Sequence, residues 1–142
     1  MPNKKIGFLI KQVLYVHEQH LNKQFSKFGL TASQTFTLIY LFKSHDKGIS
    51  VNQKDIEKEL DISNPTVTGI LNRLEVKGLI TRVPCRHDAR AKNIEVTEKA
   101  LELDKQLRIV FQQSDEKLVE SLSKEEIDNL QSYLIKILRS NS

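Results

Sequence analysis

Apolar residues recur at helical steps along most of this chain, and the pattern changes to alternation only once. In residues 5–28, Ile6, Ile10, Val13, His17, Leu21 and Phe25 fall at three- and four-residue steps, the period of one helix face. Leu9, Val16, His20 and Phe28 widen that face, so this helix needs more than one packing partner. Gly29 closes it, because a left-handed closing residue costs glycine little. Thr31-Ala-Ser-Gln34 has the form of a capping box opening a second helix, with Phe36, Leu38, Ile39, Leu41 and Phe42 as its apolar positions. Residues 49–51 form a very short extended piece. Asn52 caps a third helix over residues 53–60, which buries Ile56 and Leu60. A tight link at residues 61–63 leads to a fourth, with Val67, Ile70, Leu71 and Leu74 inward and Gly78 after its end.

Alternation then takes over. Residues 79–83 and 93–97 read as two short strands flanking a basic, turn-forming loop at residues 86–92. Thr97 caps a long fifth helix from Glu98 that carries Ala100, Leu103, Leu107, Val110, Phe111, Leu118 and Leu122. Ser123-Lys-Glu-Glu126 is a second capping box, and Ile127, Leu130, Leu134 and Ile137 after it have heptad-like spacing. The predicted fold is mainly α with a small β-wing. Residues 1–142 form a single domain. A winged helix-turn-helix occupies residues 32–97, and helices in 1–30 and 98–142 form a dimerisation region. One copy cannot cover such wide terminal apolar faces, so they interleave with a second copy. An intramolecular bundle is the alternative.

Charge sharpens this picture. The net charge is +4. Between residues 73 and 92 there are six basic residues (Arg73, Lys77, Arg82, Arg86, Arg90, Lys92) against two acidic ones (Glu75, Asp88), which equals the whole excess. A local basic surface is the footprint expected for phosphate binding. The single cysteine, Cys85, excludes an intrachain disulfide. No apolar run approaches the ~20 residues of a membrane span. A cytoplasmic protein with no membrane partner is the expectation.

The fourth helix begins at Ser63, which can accept a bond from a free amide, and Pro65 sits in its first turn. Asn64, Thr66, Thr68, Asn72 and Arg73 are left outward. Small polar groups with donors and acceptors suit entry into a DNA major groove. The preceding helix braces it and touches the phosphate backbone through Gln53. In the loop, Asp88 can pair with Arg90 or cap the turn and so aim an arginine tip at a minor groove, while Arg86 and Lys92 contact phosphates. Double-stranded DNA is therefore the expected partner.

At this point the chain resembles a known family. Asn64-Pro-Thr-Val-Thr68, Leu74-Glu-Val-Lys-Gly-Leu-Ile80, Asp88-Ala-Arg90 and Ile94-Glu-Val-Thr97 are similar to the signature of the MarR-type transcriptional regulators. The Pro-Thr-Val piece and residues 90–94 resemble the MepR-like, multidrug-responsive branch. The resemblance implies a homodimer, a palindromic operator read by paired fourth helices, and a repressor released by a small apolar or phenolic ligand. Many members carry an arginine where this chain has Gly69, which shifts readout to Thr68, Asn72 and Arg73.

Control elements follow from the remaining residues. Phe25, Phe28, Phe36, Tyr40 and Phe111 gather where the first, second and fifth helices meet, and an aromatic-lined cleft there suits a flat effector; core packing is the alternative. Cys85, near Arg82 and Arg86, offers a redox-responsive alternative. His17 and His20 are one helical turn apart, too few ligands for a metal site. The sequence carries no catalytic constellation and no cofactor motif. A ligand-independent architectural DNA binder is the remaining alternative.

Overall fold

The computed structural model describes residues 5–88 and 90–142. Residues 1–4, which the sequence assigns to the first dimerisation segment, and Ala89 of the wing lie outside the described residues. The helices are α1 (Ile6–Ser26), α2 (Ala32–Asp46), α3 (Gln53–Leu60), α4 (Asn64–Val76), α5 (Glu98–Leu118) and α6 (Lys124–Ser140). Between α4 and α5, β1 (Ile80–Pro84) pairs antiparallel with β2 (Lys92–Val96), Ile80 opposite Val96 and Pro84 opposite Lys92. The fold is thus mainly helical with one two-stranded wing, as the pattern predicts.

The helix starts are written in side chains. Thr31 with Gln34, Asn52 with Asp55, and Ser123 with Glu126 each form a reciprocal capping box. Ser63 departs from expectation: its hydroxyl pairs with Thr66 Oγ1 at 3.0 Å instead of capping α4. Pro65 in the first turn has no N–H to satisfy, so less is lost. Both strands lie one residue from their expected positions, and α5 stops at Leu118 rather than continuing to Leu122. The extended piece before α3 does meet the wing: Ile94 N–H donates to Val51 O at 2.7 Å, and Asn52 bridges Asn93.

The core sits behind α4. Val67, Leu71 and Leu74 are fully buried with Leu38 of α2 and Ile56 of α3, and Ile80 and Ile94 close the wing onto them. At the other end, Phe25 of α1 is fully buried, edge-on to Phe36 at 6.1 Å and tilted against Phe111 of α5 at 5.6 Å. Thr97 joins the two regions. Its hydroxyl donates to Gly78 O at 2.7 Å and accepts from Ala100 N–H at 3.2 Å, tying the start of α5 to the end of α4.

The terminal helices are not covered by the rest of the chain. No residue of α6 is buried, and Tyr133 and Leu138 are 62% and 70% exposed. On α1, Ile6, Phe8, Ile10 and Val13 are also exposed. These are the faces whose apolar pattern is too wide for one copy.

Two stability effects follow. Gly78 closes α4 with φ +74°, and Leu79 N–H reaches back to Leu74 O at 3.0 Å. An added Cβ is strained there, so Gly78→Ala should destabilise the protein by about 1–2 kcal/mol. Urea denaturation at fixed protein concentration measures this, and an unchanged midpoint would contradict it. The second effect is pH-dependent. His20 Nδ1 lies 3.0 Å from the buried Ser114 hydroxyl. Burial, then Lys117, His17, Lys27 and Lys23, lower its pKa from the ordinary 6.5. The unfolded chain therefore binds this proton more readily, so His20 contributes stability above pH 6.5 that is lost as pH falls through the lowered value. His20→Gln should flatten that acid limb of the stability profile; an identical limb would contradict the assignment.

Candidate nucleic-acid interface

The interface begins with α3 and α4, joined by Asp61, Ile62 and Ser63. Asp61 takes a left-handed conformation (φ 51°) that turns the chain sharply. Because Val67, Ile70, Leu71 and Leu74 are buried, the rotation of α4 about its axis is fixed. Asn64, Pro65, Thr66, Asn72 and Arg73 are exposed and Thr68 is half-buried. The sequence assigns all of these except Pro65 to the outward face.

Several of these polar groups are already engaged. Thr68 Oγ1 donates to Asn64 O at 2.9 Å and accepts from Gln53 Nε2 at 2.8 Å. Gln53 Nε2 also reaches Asn64 O at 3.4 Å. Both donors of Gln53 thus brace α4, leaving only its acceptor oxygen. The Gln53 side chain holds α3 to α4. Asn64 Nδ2 donates to Glu57 Oε2 at 3.1 Å. Asn72 Oδ1 accepts from Arg82 Nη2 at 2.7 Å. At Gly69 a Cβ would stand 3.1 Å from Arg73 Nη1, the end of an exposed side chain that can move aside.

The wing presents its charge differently. Asp88 Oδ1 accepts from the Arg90 backbone N–H at 3.0 Å, and Ala91 N–H donates to Asp88 O at 3.2 Å. Of the two roles open to Asp88, it shows the turn-capping one. Among the described residues no ion pair holds the Arg90 guanidinium. Arg86, Asp88, Arg90 and Lys92 are all exposed.

A cleft of about 400 Å³ runs between the start of α3, the start of α4 and the wing. Gln53, Asn64, Arg90 and Lys92 border it with Lys54 and Arg82. Arg82 is the residue that sequence reasoning left as a mere charge; its place opposite Ile94 in the ladder turns it toward α4. Lys77 is the opposite correction. Its ammonium turns inward, donating to Gly29 O and to Gln34 Oε1 at 2.7 Å, so it leaves the basic surface.

The five aromatics proposed for an effector do not line one cavity. Phe25 is fully buried and packs against Phe36 and Phe111, which makes it a core residue. Phe28 borders a cleft of about 590 Å³ with Leu79, Lys99 and Leu103. Phe111 borders a separate one of about 310 Å³ with Ile39, Phe42 and Arg108. Tyr40 is half-buried, its pKa raised by burial and by Asp55 and Glu59. Cys85 Sγ donates to Asn93 Oδ1 at 3.2 Å. Among the described residues no group of three or more metal-ligating side chains is assembled, and no helix is long and apolar enough to cross a membrane.

Comparisons agree with this architecture. The sequence profile of the MarR family matches residues 28–91. MepR of S. aureus, described as a transcription regulator of the multidrug efflux pump MepA, is 29% identical, with 98% of this chain and 100% of that chain covered and a TM-score of 0.85. MepR in complex with DNA is 31% identical over 97% of this chain and 99% of that chain, at a TM-score of 0.76. A mutant form of MarR from E. coli shares the fold, at 24% identity, 97% and 99% coverage and a TM-score of 0.85. With α3 and α4 as its helix-turn-helix and β1–β2 as its wing, the chain belongs to the MarR family of DNA-binding transcription regulators.

Proposed function

We propose that this protein works as a homodimeric repressor that reads a palindromic operator and leaves it on binding a small apolar or aromatic ligand. One observation carries this reading: an exposed polar and basic surface and an uncovered apolar surface belong to one chain. The outward face of α4 and the tip arginine of the wing form the first. The exposed faces of α1 and α6 form the second. Pairing the second surface with its copy in another chain yields two reading heads. Residues 32–97 then form the reading lobe, and residues 1–30 and 98–142 the dimerisation region.

The mechanism follows from spacing. Successive major grooves on one side of a duplex repeat about every 34 Å, so both α4 helices enter only when the heads sit near that separation. Each wing then lays Arg90 toward the flanking minor groove, where negative potential is strongest. The capped turn at Asp88 presents that arginine without occupying it. The Phe28 cleft lies between the end of α1, the end of α4 and the start of α5. A ligand there releases DNA only to the extent that it prefers the non-fitting spacing.

Two measurements test this. Arg90→Ala should weaken operator binding and reduce the slope of log affinity against log salt by about 2, because one charge contact is lost in each of the two heads. An unchanged slope would contradict the wing's role. Sedimentation equilibrium at micromolar concentration should give a dimer, and Leu134→Glu with Leu138→Glu should give a folded monomer with far weaker operator binding. A wild-type monomer would contradict the two-headed reading. Equal affinity for random DNA would favour an architectural binder instead.

A further inference from the structure

Arg82 and Asn72 are joined across the seam between the wing and α4. Arg82 Nη2 donates to Asn72 Oδ1 at 2.7 Å. A guanidinium has donors and no acceptor, so the amide atom facing it must be the oxygen. The Arg82 Nε is buried without a partner among the described residues. One nitrogen is therefore already lost to burial, and releasing Asn72 would strip the group of a second bond. Among the described residues no ion pair joins Arg82 to the carboxylate of Glu57 in the same cleft. Asn72 itself is exposed on the outward face of α4. With Oδ1 bonded to Arg82, its amide nitrogen has no partner among the described residues.

We propose that Arg82 is a positioning residue that makes Asn72 a donor-only reader of a base edge. The inference rests on α4 being the base-contacting helix. A free asparagine amide offers one donor and one acceptor side by side, the match for N7 and N6 of adenine. An amide oxygen has two lone pairs; with one taken and the oxygen held on the side of the wing, the groups Asn72 presents to a base edge are its N–H groups. The matching edge then carries acceptors alone, as guanine does through N7 and O6. Arg82 thereby sets a base preference without touching the DNA, and it couples the wing to the reading helix. Gln53 complements it from α3, with both donors spent and only an acceptor left.

Binding-site selection from a randomised duplex pool tests this with the full chain. The variants are Arg82→Met, which keeps the stem and removes the donors, Asn72→Ala, the double variant, and Asn72→Asp. The wild type should enrich guanine at one position of each half-site. Arg82→Met should shift the guanine-to-adenine ratio there by about five-fold or more. In the Asn72→Ala background that position should be flat, and Arg82→Met should change nothing further. Asn72→Asp lies at an exposed position and keeps the bond to Arg82 while losing the donor, so it reads the fold-independent arm. It should move the preference from guanine to cytosine, whose N4 is a donor. A wild type that enriches no sequence overturns the DNA reading and this inference together. A wild type that enriches sites unchanged by Arg82→Met, a shift that persists with Asn72→Ala, or guanine retained by Asn72→Asp overturns this inference alone.

Discussion

The buried face of α4 is the constraint on which the rest of the interface depends. Val67, Leu71 and Leu74 are fully enclosed by residues of α2, α3 and the wing strands. A helix held on one face by side chains at three- and four-residue steps cannot rotate without expelling them from the core. Its outward residues are therefore fixed in direction before any partner arrives. Thr97 adds the second restraint, pinning the end of α4 to the start of α5 through Gly78 O.

The polar surface is equally prearranged. Hydroxyls and amides on α4 face one another or the neighbouring elements: Ser63 with Thr66, Thr68 with Gln53, Asn72 with Arg82. Such bonds reduce the side-chain entropy lost on binding and leave each group with a defined remaining valence. The wing differs in kind. Its backbone is closed by Asp88 while its arginine and lysine tips stay exposed. Helix and wing therefore divide between directional contacts and charge.

Much of this was legible in the sequence because it rests on local rules. Period-3.6 apolar spacing marks the helices, and Thr31 with Gln34 and Ser123 with Glu126 announce two starts before any tertiary contact is known. The wing declares itself by alternation around a basic turn. The misreadings came from tertiary effects. Ser63 has the right identity for a cap but finds Thr66 closer. Lys77 sits in a basic run, yet a carbonyl of the α1–α2 turn and Gln34 draw it inward. Arg82 reads as one more surface charge, because no periodicity reveals that its strand position aims it at α4.

The two uncovered surfaces give the account its central claim, that one chain supplies half of a two-headed reader. The most direct measurement varies the spacing between the half-sites of a selected operator and follows binding of the full chain. The account predicts tight binding near one helical turn, about 10 base pairs centre to centre, and its loss when about 5 base pairs are inserted, because the second half-site then faces away. Affinity that does not change with that insertion would contradict it.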